Sequence, residues 1–313
     1  MKEKQKNLCR LLASFYGMNI EINSVMKYTH AILGGTGHIG AALSTALLQK
    51  QQKVMIIGHD PAKAAEWTVK GAAYEVADIR DTARLKELFG QAERLFVLNP
   101  NAAPDKDIDA VEREQIGSIL NALEGSELKK IVAASTYGAQ PGDHIFDLGA
   151  LYELEQGLAK LDITLAVIRS AYYMSNFDQA IPAVREKGEL TTLFPADFKL
   201  PMVAPADIGA FAAQLMLDDR TGLFFLEGPE TYSNQDVAEA FGKLLHKTVN
   251  VVTIPEAGWK DFLIKGGFSE KAAASFANMT RLTISQQSEI PTAQHGPTTL
   301  FHYLEKQLQV NGA

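Results

Sequence analysis

Cysteine is nearly absent from this chain. Cys9 stands alone among 313 residues, which excludes an internal disulfide and any cysteine-built metal knot. Positive charge is not in excess either: 30 Lys and Arg against 37 Asp and Glu give a net charge of −7. That balance excludes the broad basic face that nucleic-acid phosphates call for. No stretch reaches the roughly 18 uninterrupted apolar residues of a spanning helix, so no membrane partner is expected. The seven histidines show no H-E-x-x-H spacing, and His295 and His302 have no carboxylate between them, so no metal site is expected. A G-x-S-x-G nucleophile motif is missing, as is the lysine that a Walker loop would need after Gly40. What remains is a globular composition, 46% hydrophobic and 21% charged, compatible with a reducing cytoplasm.

Residues 1–25 differ in character from the rest of the chain. Lys2, Lys4 and Lys6 ahead of Leu8–Met18 imitate a signal peptide, but Arg10 interrupts the apolar run and no small-residue cleavage site comes after it. The expectation is a short helix or a poorly ordered extension, with the folded domain starting at Met26.

From Lys27 onward, strand and helix patterns alternate. The spacing predicts a strand over 28–33, a helix over 39–50 with Leu43, Leu47 and Leu48 on one stripe, a strand over 53–57 and a helix over 61–69. Strands near 73–77, 95–98, 130–134 and 164–168 continue the series, with helices between them. Such alternation implies βαβ crossovers and a parallel sheet covered on both faces. The predicted fold is a Rossmann-type, doubly wound α/β sheet over residues 26–170. A smaller α/β portion, 171–313, is expected to interleave with it, since no Pro/Gly/Ser linker or internal repeat separates the two. Ligands in open α/β sheets bind beyond the carboxyl ends of the strands, so a cleft is expected there.

The strongest chemical signal is Gly34-Gly35-Thr36-Gly37-His38-Ile39-Gly40, between a predicted strand and a predicted helix. Both Gly35-x-Gly37-x-x-Gly40 and Gly34-x-x-Gly37-x-x-Gly40 fit a dinucleotide fingerprint in that context. Early glycines let backbone N–H groups approach a pyrophosphate, and the last lets the helix pack closely on the sheet. The helix N-terminus adds partial positive charge.

Cofactor choice is read after the second strand. Asp60 lies where an acidic residue would bond a ribose 2′-hydroxyl, yet Asp60-Pro61 also reads as a helix N-cap with proline in the first turn. The cap explains both residues together. His59 and Lys63 then face a 2′-phosphate, which points to NADP, with NAD the alternative.

Several segments together resemble the NmrA-like branch of the atypical short-chain dehydrogenase/reductases: GGTGHIG, VMIIGHDPAKA, ADIRD, LAVIRSAYYMSNF, VAPADIGAFAAQLML and GLFFLEGPETYSNQDVAEAF. The resemblance spans about residues 26–310. That family includes NADPH-sensing regulators and NAD(P)H:quinone reductases. Carried over by position, it implies that Thr36, Gly37, His38 and Ile39 hold the pyrophosphate, with Gly34 shaping the turn. It implies Asp78 and Ile79 beside the adenine, and Leu98, Asn99 and Pro100 along the nicotinamide-side ribose. Ser135 and Thr136 would close the pocket. His59 stands where the family often has an arginine for the 2′-phosphate.

Catalysis departs from the wider superfamily. The usual Tyr-x-x-x-Lys pair puts both groups on one helix face, where the lysine lowers the tyrosine pKa. Anchored on Glu155 and Arg169, those positions are Asp147 and Leu151, which cannot form that pair; Tyr152 is followed four residues later by Gln156. No catalytic residue is assigned. Tyr137 is a candidate donor to a substrate carbonyl. Tyr172, Tyr173, Asn176 and Phe177 are expected to form an aromatic slot with one amide, suited to a flat, apolar acceptor; Met174 and one tyrosine are expected to pack the core instead. Two readings result: a reductase of quinone-like or related carbonyl acceptors, or a non-catalytic dinucleotide sensor acting through a protein partner.

Overall fold

A computed structural model describes residues 28–286 and 292–310. The expectation for residues 1–25 lies outside them. The chain runs β1 (Tyr28–Leu33), α1 (His38–Gln49), β2 (Val54–Gly58), α2 (Ala64–Val69), β3 (Ala73–Val76), α3 (Thr82–Phe89), β4 (Ala92–Val97), α4 (Ile108–Leu123), β5 (Lys130–Thr136), α5 (Asp147–Leu158) and β6 (Thr164–Ser170). It continues through β7 (Tyr172–Tyr173), α6 (Ile181–Lys187), β8 (Glu189–Thr192), β9 (Leu200–Val203), α7 (Pro205–Leu217), β10 (Gly222–Glu227), β11 (Thr231–Tyr232), α8 (Asn234–Leu245) and β12 (Asn250–Thr253). The last elements are α9 (Trp259–Lys265), α10 (Glu270–Ser285), β13 (Gln294–His295) and α11 (Leu300–Val310).

The main sheet has eight strands in the order β13-β10-β6-β5-β4-β1-β2-β3, each paired in parallel with its neighbours. The order reverses direction at β1 and β4, the switch point where doubly wound folds hold ligands. Side-chain alternation along β1 feeds both faces. Ala31 and Leu33 join Leu85, Leu88, Ile116, Ile119 and Leu154 of α3, α4 and α5. Ile32 joins Leu43 and Leu47 of α1 and Ile208, Ala212 and Leu215 of α7. Burying both faces explains why the strands read as continuous apolar runs.

Elements beyond residue 170 enter this layer: α7 covers one face, while β10 and β13 extend the sheet. A separate core forms around Met174, Phe177, Val184, Met202, Phe241 and Leu304. Two small sheets frame it, β11-β9-β7 and β12-β8. β12 falls where the sequence reads as a strand, 249–253, whereas β7, β8, β9 and β11 carry no clear period and were not anticipated. Other boundaries also shift. The second helix begins as a 3₁₀ turn, Pro61–Lys63, and becomes α-helical only at Ala64. β4 starts at Ala92, not Leu95, because charged Glu93 and Arg94 find partners: Lys129 at 2.7 Å and the carbonyls of Met216 and Asp218. After β5 the spacing predicts a helix through Leu161, and the helix ends at Leu158.

Candidate functional site

The turn between β1 and α1 is fixed by backbone bonds: Gly34 N–H donates to Ile57 O at 3.1 Å, and Gly37 N–H to Gly34 O at 3.2 Å. Gly34 has φ +77°, a region that side chains avoid. At Gly40 a Cβ would lie 2.2 Å from Gly34 O, so only glycine lets the helix start this close to the loop. At Gly37 an added Cβ would meet only Gly34 O, at 3.6 Å, an ordinary contact. Gly40 is therefore held by packing within the chain, while Gly37 faces open space. Helix α1 receives no side-chain cap and no acid in its first turn. Its leading N–H groups and its dipole are left to an outside anion. Gly37 and His38 are exposed and Thr36 half-buried; the Ile39 side chain is buried in the core, so Ile39 offers only its backbone.

At the end of β2, Asp60 is a cap: its Oδ1 accepts the Ala62 N–H at 2.9 Å, and its carbonyl accepts from the Tyr74 hydroxyl at 2.7 Å. His59 and Lys63 are exposed beside it. Thr36 and Lys63 line one cavity of about 410 Å³, with Trp67 and Lys70 among its walls. Asp78, after β3, forms a two-pronged pair with Arg80, Oδ1 to Nε at 3.2 Å and Oδ2 to Nη2 at 2.9 Å. That guanidinium chiefly, the Arg80 N–H next, and more weakly the charge of His59, hold its carboxyl below the usual range. Arg80 was not anticipated; the only sequence signal was its place two residues after Asp78. Ile79 is half-buried against the α3–α5 core.

Above β4, Leu98 sits under Gly34, whose missing Cβ would come 3.3 Å from Leu98 Cδ2. Asn99 is buried, 6% exposed, and neither of its amide atoms has a hydrogen-bond partner among the described residues. An unmet buried amide costs about 1–3 kcal/mol, so a group that completes it is expected at this spot. Pro100 follows, half-buried.

From β5, Thr136 reaches the carboxyl edge half-buried. The Ser135 hydroxyl donates to Glu155, which in turn takes Arg169 Nε at 2.9 Å and Nη2 at 2.6 Å. Ser135 thus serves a buried ion pair tying β5, β6 and α5 together, in place of the pocket-closing part expected of it. The Tyr137 hydroxyl donates to Glu227 at 2.8 Å, and its ring meets Phe225 edge-on at 5.5 Å. Burial, then that carboxylate, push its pKa up.

The expected aromatic slot is only partly assembled. Phe177 and Met174 are buried in the C-terminal core, so Phe177 packs where an acceptor contact was expected. The Tyr172 ring lies against Phe177 at 5.8 Å and Phe194 at 6.0 Å, and burial pushes its hydroxyl pKa up, with Asn176 opposing. Tyr173 differs: burial chiefly, and then the nearby Asp147, push its hydroxyl pKa up.

A set of carboxyl groups was missed. Glu112 on α4 is buried, 1% exposed, and its Oε1 accepts the Ala102 N–H at 3.1 Å. Burial pushes its carboxyl up to about 8, with the Ala102 bond opposing and Asp147 and Asp109 adding to the rise. The sequence did carry a signal, since Glu112 falls on the apolar stripe Ile108–Glu112–Ile116–Ile119. Burial likewise pushes Asp147 up to about 6, against the backbone N–H groups of Asp147 and Leu148.

A model of the NmrA-like family matches residues 26–304. The chain belongs to the NmrA-like family. Among solved structures, it is similar to an NADPH-dependent quinone oxidoreductase from Escherichia coli complexed with NADPH, with TM-score 0.71, 22% identity, and coverage of 90% of this chain and 100% of that one. It is also similar to a Citrobacter sp. triphenylmethane reductase complexed with NADP(H), with TM-score 0.74, 18% identity, and coverage of 90% and 100%. A curated relative is the 40 kDa subunit of the mitochondrial NADH-ubiquinone oxidoreductase of Neurospora crassa, 22% identical over 75% of this chain; the match spans only 64% of that subunit. No helix among the described residues is long and apolar enough to cross a membrane.

Proposed function

We propose that this NmrA-like protein binds a nicotinamide dinucleotide, NADPH in preference to NADH, and reduces quinone-like or related carbonyl acceptors. The observation that carries the reading is the pair of unmet groups across the β1/β4 switch point: the uncapped N-terminus of α1 and the partnerless Asn99 amide. Thr36, Gly37, His38 and the Ile39 N–H would hold the pyrophosphate, with Asn99 completing its bonds on the ribose at the nicotinamide side. Asp78 and Ile79 would border the adenine. Since Asp60 is spent as a cap, Lys63 and Thr36, which share a cavity, would meet the 2′-phosphate with His59 nearby. When bound, the reduced dinucleotide supplies hydride. The chain's own part is to orient a flat acceptor beside Tyr173 and exclude water. The likeness to an NADPH-dependent quinone oxidoreductase and a triphenylmethane reductase supports a reductase. The location that goes with this reading is the cytoplasm.

The test is calorimetry with NADPH and NADH, then absorbance at 340 nm across a panel of quinones, aldehydes and secondary alcohols. NADPH should bind more tightly, quinones should be reduced, and alcohols should not be oxidised with NADP⁺. Gly37→Val should abolish binding with the melting temperature little changed, because its side chain enters the anion's approach and not the core. Unchanged NADPH affinity in that variant would remove the glycine-loop assignment. The lack of a tyrosine–lysine pair at Asp147 and Leu151 keeps a second reading, a dinucleotide sensor with a protein partner; tight NADPH binding with no turnover of any acceptor would select it.

A further inference from the structure

We propose that Asp147 delivers the proton that completes reduction of the acceptor. This rests on the reductase reading above. Asp147 is the first residue of α5, the helix that follows β5, which places it over the carboxyl edge of the sheet. It holds the position where the resemblance would put a tyrosine. A carboxyl cannot copy that tyrosine's chemistry, but it can act as an acid when its surroundings keep it protonated near neutrality.

The geometry holds it for that task. Phe146, immediately before it, has φ +56°, a backbone state that an aromatic residue rarely adopts. Helix α10 pins this turn: Ser275 Oγ accepts the Phe146 N–H at 2.6 Å, Phe276 meets the Phe146 ring edge-on at 5.1 Å, and Asn278 donates to His144 O at 3.0 Å. Asp147 Oδ1 is buried and has no hydrogen-bond partner among the described residues. Glu112 from α4 and Tyr173 from β7 lie within its electrostatic reach; Asp143 and His144 precede it in the chain, and Arg113 of α4 reaches that loop through Asp143. Arg113, the fixed cation of that set, is engaged by Glu153 at 2.8 Å, Asp143 at 3.0 Å and Asp109 at 3.8 Å. Burial governs the Asp147 carboxyl against the backbone N–H groups of Asp147 and Leu148, and burial is also the chief cause that raises Tyr173, which stays protonated and serves to orient an acceptor oxygen.

The step balances simply. Overall reduction consumes one hydride from the reduced dinucleotide and one proton. The carboxyl O–H of Asp147 breaks, an O–H forms on the oxyanion of the reduced acceptor, and water reprotonates the carboxylate.

The experiment follows kcat with a quinone from pH 5 to 8.5 in the wild type and in Asp147→Asn, with NADPH affinity by calorimetry and the Asp147 carboxyl titrated by carbon-13 NMR in the dinucleotide-free protein. The expected wild-type kcat is level below pH 6 and falls about tenfold per unit above it. Asp147→Asn should lower kcat about 100-fold at pH 6, flatten the profile, and leave the NADPH dissociation constant within twofold. The carboxyl should titrate near 6. A wild type that turns over with a profile unchanged in Asp147→Asn overturns this inference alone, as does a carboxyl titrating near 4. A wild type that reduces no acceptor overturns the reductase reading and this inference with it.

Discussion

At the amino edge of the main sheet, three buried or half-buried side chains, the imidazole of His30 and the cations of Arg94 and Lys130, converge on one helix end. His30 Nε2 lies 3.1 Å from Met216 O, Arg94 Nη1 donates to Met216 O and Asp218 O at 3.0 and 2.7 Å, and Lys130 Nζ donates to Asp218 O and Arg220 O at 2.9 and 2.7 Å. These groups satisfy the Met216 carbonyl in the last turn of α7 and the Asp218 and Arg220 carbonyls just past it, and the charges of Arg94 and Lys130 oppose the helix dipole. At the carboxyl edge, Asn99 keeps both amide atoms unmet and Asp147 keeps Oδ1 unmet, although burial there is no cheaper. One edge spends its polar groups on holding the chain together. The other tolerates unmet ones, which lowers stability and leaves bonds for a ligand to complete. The ion pair of Glu155 and Arg169 is the main exception, fully paired among the unmet groups, with the Tyr137–Glu227 hydrogen bond a second.

The largest effect should come from breaking that ion pair. Glu155→Ala strands a largely buried guanidinium and the Ser135 hydroxyl, and should cost about 3–5 kcal/mol, read as a lower urea midpoint. At the amino edge, Lys130→Met keeps the apolar stem and removes the donor from two carbonyls, for about 2 kcal/mol. NADPH affinity per folded molecule should not change in Lys130→Met. A loss of affinity there would show that the two edges are coupled after all.

The parallel sheet was legible because its signal is local. Each strand is a short apolar run, each helix a stripe, and the glycine loop sits between them in one stretch. The Asp60 cap was legible for the same reason, since the capping residue and the proline are neighbours. What escaped was set by contacts across long sequence separations. Phe177 reads like an exposed slot residue until Val184, Met202 and Phe241 close around it. Ser135 reads like a pocket residue until Glu155 takes its hydroxyl. The strained turn at Phe146 has no sequence mark, because its partners Ser275 and Phe276 lie about 130 residues further on.

The two edges should also part in their response to pH. Glu112 has a folded pKa of about 8 against an ordinary value of 4.5. A carboxyl raised on folding contributes stability that is complete below about 4.5 and is lost as pH rises toward and through 8, because the unfolded chain then releases the proton first. The wild type should therefore lose about 2–4 kcal/mol over that window, read from urea midpoints at fixed ionic strength. Glu112→Gln retains an acceptor for the Ala102 N–H and cannot ionise, so its stability should be nearly level there. His30, whose pKa is lowered by burial, works in the opposite sense: its contribution is present above its unfolded value near 6.5 and is lost as pH falls through the folded one. A wild type whose stability rises between pH 5 and 8 would contradict the assignment of Glu112 as a buried, protonated acid.

The smallest expected effect sharpens the comparison within the carboxyl edge itself, where exposed charges sit beside the buried unmet groups. Lys63 lines the same cavity as Thr36 and has no part in the core, while the nearby Asp60 carboxylate is held by Ala62 N–H. An exposed ammonium meeting a phosphate is a solvent-screened contact, so its removal should cost a modest factor in binding and nothing in folding. Lys63→Ala should weaken NADPH about three- to tenfold and leave NADH within twofold, since only NADPH carries the 2′-phosphate. Raising salt from 0.05 to 0.5 M should narrow the wild-type gap between the two nucleotides, because the Debye length shortens from about 14 Å to about 4 Å. Asp60→Asn separates the competing assignment: the amide oxygen still caps Ala62, so NADH affinity should hold, whereas an Asp60 that bonds a ribose hydroxyl would lose NADH binding in that variant. Equal affinities for the two nucleotides in the wild type, insensitive to salt, would remove Lys63 and His59 from the 2′ position and leave NAD as the natural ligand of the loop.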